Sequence, residues 1–145
     1  MQITKQADYA VRAVRYLSER YDPNLEMNEQ NRAPTREIAE KQHIPGSFLA
    51  KIISQLSTRK PPLLNTSRGA SGGVTLAKEP KDISLLDVVE AIDGPIYLNE
   101  CVSDSSKCTF DDDCPLKPIW SEAQEMLVTK LRTTRFNQFS NGHKK

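Results

Sequence analysis

The feature that most restricts the fold is a pair of short amphipathic runs, broken at residues 43–47 (HIPGS) and followed by a glycine-rich turn. Thr35 stands where a helix cap belongs, Glu37 lies in the first turn where the helix dipole favours an acid, and Ile38 and Ala39 supply a buried side. Pro45 and Gly46 interrupt this helix, and Ser47 is placed to cap a second one. The second helix has the apolar face Phe48, Leu49, Ile52, Ile53 and Leu56, and Pro61 and Pro62 close it. Strand-like runs at 63–67 and 74–76 then flank Arg68-Gly69-Ala70-Ser71-Gly72-Gly73, the make-up of a β-hairpin. Helix, tight break, helix and hairpin in that order predict a winged helix-turn-helix.

The flanking segments are consistent with a mainly α protein. Residues 3–20 repeat Ile3, Ala7, Ala10, Val11, Val14 and Leu17 at helical spacing, and the polar stretch 22–34, with two prolines, reads as an exposed loop. Ser84 is placed to cap a helix bearing Leu85, Val88, Val89 and Ile92, which Asp93-Gly94-Pro95 ends. Residues 96–117 show no period. From Pro118 a last helix carries Ile119, Trp120, Ala123, Met126, Leu127 and Leu131, a longer stripe than one small domain needs. It is expected to pair two subunits, because paired helix-turn-helix subunits match half-sites on DNA. The expected organisation is a winged helix-turn-helix domain over 1–80, a linking helix over 81–95, a cysteine-bearing loop over 96–117, a dimerisation helix over 118–136 and a disordered tail over 137–145.

Charge is uneven along the chain. Residues 1–80 hold 12 Lys and Arg against 8 Asp and Glu, whereas 81–145 hold 8 against 11. The basic half suits a polyanionic partner. No stretch reaches the roughly 18 apolar residues of a membrane span, and the N-terminus has no secretory-signal pattern, so a cytoplasmic protein is expected. No nucleophile is set beside a base and an orienting partner, so no enzyme is expected.

On the second helix of the pair, burial of the apolar face leaves Ser47, Ala50, Lys51, Ser54 and Thr58 as a ridge suited to the major groove of double-stranded DNA. Lys51 can reach a phosphate or a guanine edge. In the hairpin, Arg68 can enter the minor groove, while Gly69, Gly72 and Gly73 let the backbone come close. His43 lies in the break, to cap the helix or face DNA, whereas His143 falls in the tail.

Cys101, Cys108 and Cys114 fall within fourteen residues. An odd number in a reducing compartment argues against a disulfide framework. Three thiolates spaced C-x6-C-x5-C cannot share one helix face, but a loop can wrap them around an inorganic core. An iron–sulfur cluster, a thiol redox switch and zinc all remain open on the residues alone, although zinc sites usually show tighter cysteine pairs.

Taken together, ITKQADYAVRAVRYL, TREIAEKQHIPGSFLAKIISQL, RGASGGVTLAK, DISLLDVVEAIDG and the three-cysteine loop resemble the IscR/NsrR/RirA family of bacterial winged-helix iron–sulfur regulators over roughly residues 1–135. The resemblance implies a homodimeric transcriptional regulator, with repression the working expectation, that binds palindromic promoter DNA and senses nitric oxide, iron or redox state. It implies a cluster on Cys101, Cys108 and Cys114, and the same minor-groove role for Arg68. Some members complete the cluster with a histidine three residues after the last cysteine; here that position is Lys117, a poor ligand. The nitric-oxide-sensing branch uses an aspartate from the partner subunit's first helix, which matches Asp8 in ADYAVR. Glu100, Asp104, Asp111, Asp112 and Asp113 are the weaker candidates. The Asp8 match and the missing histidine favour [4Fe–4S] over [2Fe–2S]. The alternatives are a thiol-switch regulator without a cluster and a metal-binding protein-interaction module.

Overall fold

The structure, a computed structural model, describes residues 2–24, 31–67, 73–103 and 114–139. Helix α1 (Lys5–Glu19) starts at Thr4, whose hydroxyl accepts the Ala7 amide, and it buries Ala7, Ala10, Ala13, Val14 and Leu17. Ile3, expected on that face, precedes the helix and is exposed. Helix α2 (Thr35–Gln42) begins after Pro34, with Thr35 already inside it rather than capping it. It stops at His43, which takes the left-handed conformation at φ 55°. The turn of the pair therefore falls at His43 and a buried Ile44, and Gly46 is the first residue of α3 (Gly46–Thr58). Pro45, not Ser47, holds the cap position of that helix, with no side-chain cap bond.

The wing pairs β1 (Leu64–Ser67) antiparallel with β2 (Gly73–Leu76), Leu64 opposite Leu76 and Ser67 opposite Gly73. Part of the stretch expected as an exposed loop joins it. Ala33 bridges Val74 through two backbone hydrogen bonds of 2.9 and 2.8 Å, and Ala33 and Asn31 are buried. A single-residue bridge has no period from which to read it.

Helix α4 (Leu85–Asp93) opens with a full capping box, Ser84 and Asp87 each bonding the other's backbone amide, and ends at Gly94 with φ 78°. The core does not stop near residue 80, the expected domain edge. Ile83, Val88 and Phe136 belong to the same buried cluster as Val14, Leu49, Leu56 and Val74.

A second, smaller cluster of Ala7, Leu86, Val89 and Ile96 receives Leu127, Val128 and Leu131 from α6 (Lys117–Thr133). That is where the long helix joins the body. No α6 residue is fully buried, and Ile119, Trp120 and Met126 are exposed. The helix ends at Thr133, short of the expected 136. Beyond it the chain returns to the body: Phe136 donates its amide to Ile83 at 3.0 Å and is buried in a 3-10 turn over Phe136–Phe139. Residues 137–139, expected as tail, belong to this turn; the rest of that tail lies outside the described residues. No described helix is long and apolar enough to cross a membrane.

Candidate nucleic-acid interface and cysteine site

Leu49, Ile52, Ile53 and Leu56 anchor α3 in the core. That burial fixes which side faces out, and Ser47, Ala50, Lys51, Ser54 and Thr58 are all exposed on it. Thr58 donates its hydroxyl to the Ser54 carbonyl at 2.7 Å, which leaves only its oxygen lone pairs for an outside partner. Phe48, expected in the buried face, is instead 38% exposed and meets Tyr9 edge-on at 5.8 Å. Lys5 and Arg12 flank the Tyr9 ring at 5.6 and 5.3 Å. This cationic and aromatic corner, beside the start of α3, escaped sequence reasoning because its members lie on two helices.

The exposed edge of the wing carries Asn65, Thr66 and Ser67, which with Ser57 and Thr58 line a groove between α3 and the hairpin. Arg68, Gly69 and Gly72 lie outside the described residues. Gly73 is described, and its surroundings give it an internal duty. A Cβ there would sit 2.7 Å from the Ala33 carbonyl oxygen and 2.7 Å from Arg32 Cγ.

Helices α1 and α2 are tied together by side-chain contacts. Tyr16 hydrogen-bonds Glu37, and Arg20 lies 3.6 Å from the same carboxylate. Burial, then the bond to Glu37, pushes the Tyr16 phenol above its ordinary value of 10.0. Burial and Glu79 do the same to Tyr21.

Asp8 pairs with Arg12 at 2.8 Å, and Arg12 also donates to the Gln42 carbonyl at the end of α2, 3.4 Å away. Asp8 is thus linked to the helix-turn-helix of its own subunit.

Cys101 sits on the short α5 (Glu100–Ser103), half-buried, in a groove against α6 shared with Lys117, Ser121 and Gln124. Cys114 is half-buried just before α6, where its carbonyl accepts the Lys117 amide at 3.2 Å. Cys108, Asp104, Asp111, Asp112 and Asp113 lie outside the described residues, as does the Glu100 side chain. Among the described residues, no three His, Cys, Asp or Glu side chains gather as a metal site. The donor set fits an iron–sulfur cluster in chemistry: three soft thiols, two of them half-buried at the two ends of the 104–113 segment.

Comparison with known proteins gives a consistent result. The model of the Rrf2 family, an iron-dependent transcriptional regulator, matches residues 3–142. The transcriptional regulator NsrR of Shouchella clausii is 30% identical over 124 residues, covering 85% of this chain and 77% of that protein. The transcriptional regulator IscR of Klebsiella pneumoniae is 28% identical over 141 residues, covering 97% and 80%. Among solved structures, CymR, the global cysteine regulator of B. subtilis, superposes with a TM-score of 0.75 at 20% identity, covering 100% of this chain and 99% of that one. T. potens IscR gives 0.62 at 22% identity, covering 94% and 83%. These similarities confirm the expected winged-helix fold and the expectation of a regulator rather than an enzyme.

Proposed function

The chain belongs to the Rrf2 family of transcriptional regulators, and from that premise we propose that it is a homodimeric repressor whose affinity for palindromic promoter DNA is set by an iron–sulfur cluster. The observation that carries the DNA reading is α3: its apolar side is locked into the core while Ser47, Ala50, Lys51, Ser54 and Thr58 stand exposed, Thr58 in the groove beside the wing. In this reading the ridge enters the major groove, where small side chains permit close approach and Lys51 reaches phosphate or base. Arg68 enters the minor groove from the wing tip. The exposed Ile119, Trp120 and Met126 of α6 pair two subunits and set the spacing of their recognition helices.

Cys101, Cys108 and Cys114 are the cluster ligands, and Asp8 of the partner subunit completes the set, with [4Fe–4S] favoured. When bound, such a cluster supplies a centre that nitric oxide or a shortage of iron can alter. The chain's own residues carry the consequence. Asp8 accepts from Arg12 through Oδ2, so a carboxylate that also serves the partner shares its charge with Arg12, which donates to the Gln42 carbonyl where α2 meets the turn. Ligation across the dimer therefore reaches the helix-turn-helix through one ion pair. Coupling of this kind requires the two states to differ in DNA affinity.

The test uses protein purified without oxygen. Visible absorption with iron and sulfide analysis reports the cluster, and titration of the fragment enriched from genomic DNA, with and without cluster at fixed salt, reports the coupling. Iron and sulfide in cluster proportion, with affinities differing fivefold or more, is the expected result. Equal affinities of the two forms refute cluster control. Colourless, iron-free protein that resists reconstitution refutes the cluster itself, and a DNA affinity that then follows thiol oxidation identifies a thiol switch.

A further inference from the structure

We propose that Gln124 is a positioning residue for the cysteine site, its side-chain amide holding the Cys101-bearing segment against α6. The chain leaves α4 at Gly94 and reaches α5 through residues 95–99, a stretch with no helix or strand to fix it. Within that stretch the Leu98 amide donates to Gln124 Oε1 at 2.9 Å, and Gln124 Nε2 donates to the Ile96 carbonyl at 2.6 Å. In extended backbone the carbonyl of one residue and the amide two residues on point to the same edge. The side-chain amide has both an acceptor oxygen and N–H donors, and so meets both groups as a neighbouring peptide would.

The latch lies three residues before Cys101, and Gln124 and Cys101 line the same groove. Ile96, bonded by its carbonyl, is buried in the cluster that seats α6. Gln124 therefore registers α5 against the helix that Cys114 leads into. Glu of the same length keeps only the acceptor, Met keeps the volume and neither bond, and Asn, with the same amide, is one methylene shorter.

The bearing on a cluster rests on the function proposed above, whereas the placement of Cys101 does not. The test accordingly begins with cluster-free protein, comparing wild type, Gln124→Glu and Gln124→Met. Amide exchange at Leu98 reads the latch, and the iodoacetamide alkylation rate of Cys101 relative to Cys114 reads the thiol's placement. In Gln124→Met, Leu98 exchange is expected to rise about tenfold, the worth of one lost hydrogen bond. Cys101 alkylation is expected to rise severalfold relative to Cys114. Gln124→Glu keeps the Leu98 protection and shows an intermediate Cys101 rate, a partial rescue that a general loosening of the fold would not give.

Unchanged Leu98 exchange or an unchanged Cys101 to Cys114 ratio in Gln124→Met overturns the proposal. If that variant does not fold, an unchanged ratio in Gln124→Glu does so. Iron retention by the same proteins is then measured. Wild type without iron tells against the cluster but leaves the latch standing, and a reconstituted wild type with unaltered alkylation in both variants tells against the latch alone.

Discussion

Replacing Gly73 by alanine separates two roles that a wing glycine can have. If its purpose is close approach to DNA, Gly73→Ala leaves the fold intact and weakens binding. The structure points instead to packing. The added methyl would lie 2.7 Å from a backbone oxygen and 2.7 Å from Arg32 Cγ. The arginine methylene can shift; the Ala33 carbonyl is held in place, because it accepts the Val74 amide at 2.8 Å while Ala33 donates back at 2.9 Å. Relief requires moving the wing off residues 32–33, which weakens two hydrogen bonds worth about 1 kcal/mol each. Overpacking strain adds about 1 kcal/mol or more. The expected loss is thus about 2–3 kcal/mol. At a urea slope of about 1–3 kcal/mol per molar, the unfolding midpoint should fall by about 0.7–3 M. Urea denaturation followed by circular dichroism measures it, with Ser67→Ala, the exposed residue opposite Gly73, as a control that should shift by less than about 0.5 kcal/mol. A Gly73→Ala protein as stable as wild type would show that the segment 31–33 does not constrain the wing.

Other perturbations test other parts. Lys51→Ala should weaken DNA binding to a similar degree across sequences and reduce the slope of log affinity against log salt by about one, measured by fluorescence anisotropy at several salt concentrations. Ser84→Ala removes one side of the α4 capping box and should cost about 1 kcal/mol in urea denaturation. Because the Tyr16 phenol titrates above its ordinary value in the folded chain, its contribution to stability is intact below pH 10 and is lost as pH rises through its folded value. Unfolding midpoints followed from pH 8 to 11 should therefore fall less steeply in Tyr16→Phe than in wild type, and equal slopes would exclude that contribution.

Elements that carry their own signal were legible in the residues. The stripe Leu49, Ile52, Ile53 and Leu56 declares both a helix and its buried side, and so places Lys51 and Ser54 outward before any tertiary contact is known. Ser84 with Asp87 closes a local hydrogen-bond pattern four residues long, and local patterns are what a linear reading detects. Phe48 departs from that stripe because Tyr9, the ring it meets edge-on, lies on another helix. The break falls within HIPGS as the residues indicate, but the left-handed residue that stops α2 is His43, three residues before Gly46, which opens α3 instead.

Periodicity, capping and spacing are local, so the order of elements, the outward ridge of α3 and the grouping of three thiols in one short stretch can be read along the chain. Packing alone pairs Ala33 with Val74, hems in Gly73 with residues 32–33, returns Phe136 to the core beside Ile83, and sets Gln124 to hold the approach to Cys101. Each of these joins residues from about 25 to more than 50 positions apart through one or two contacts. Contacts of that kind leave no repeat along the chain, and they form only once the helices around them have packed.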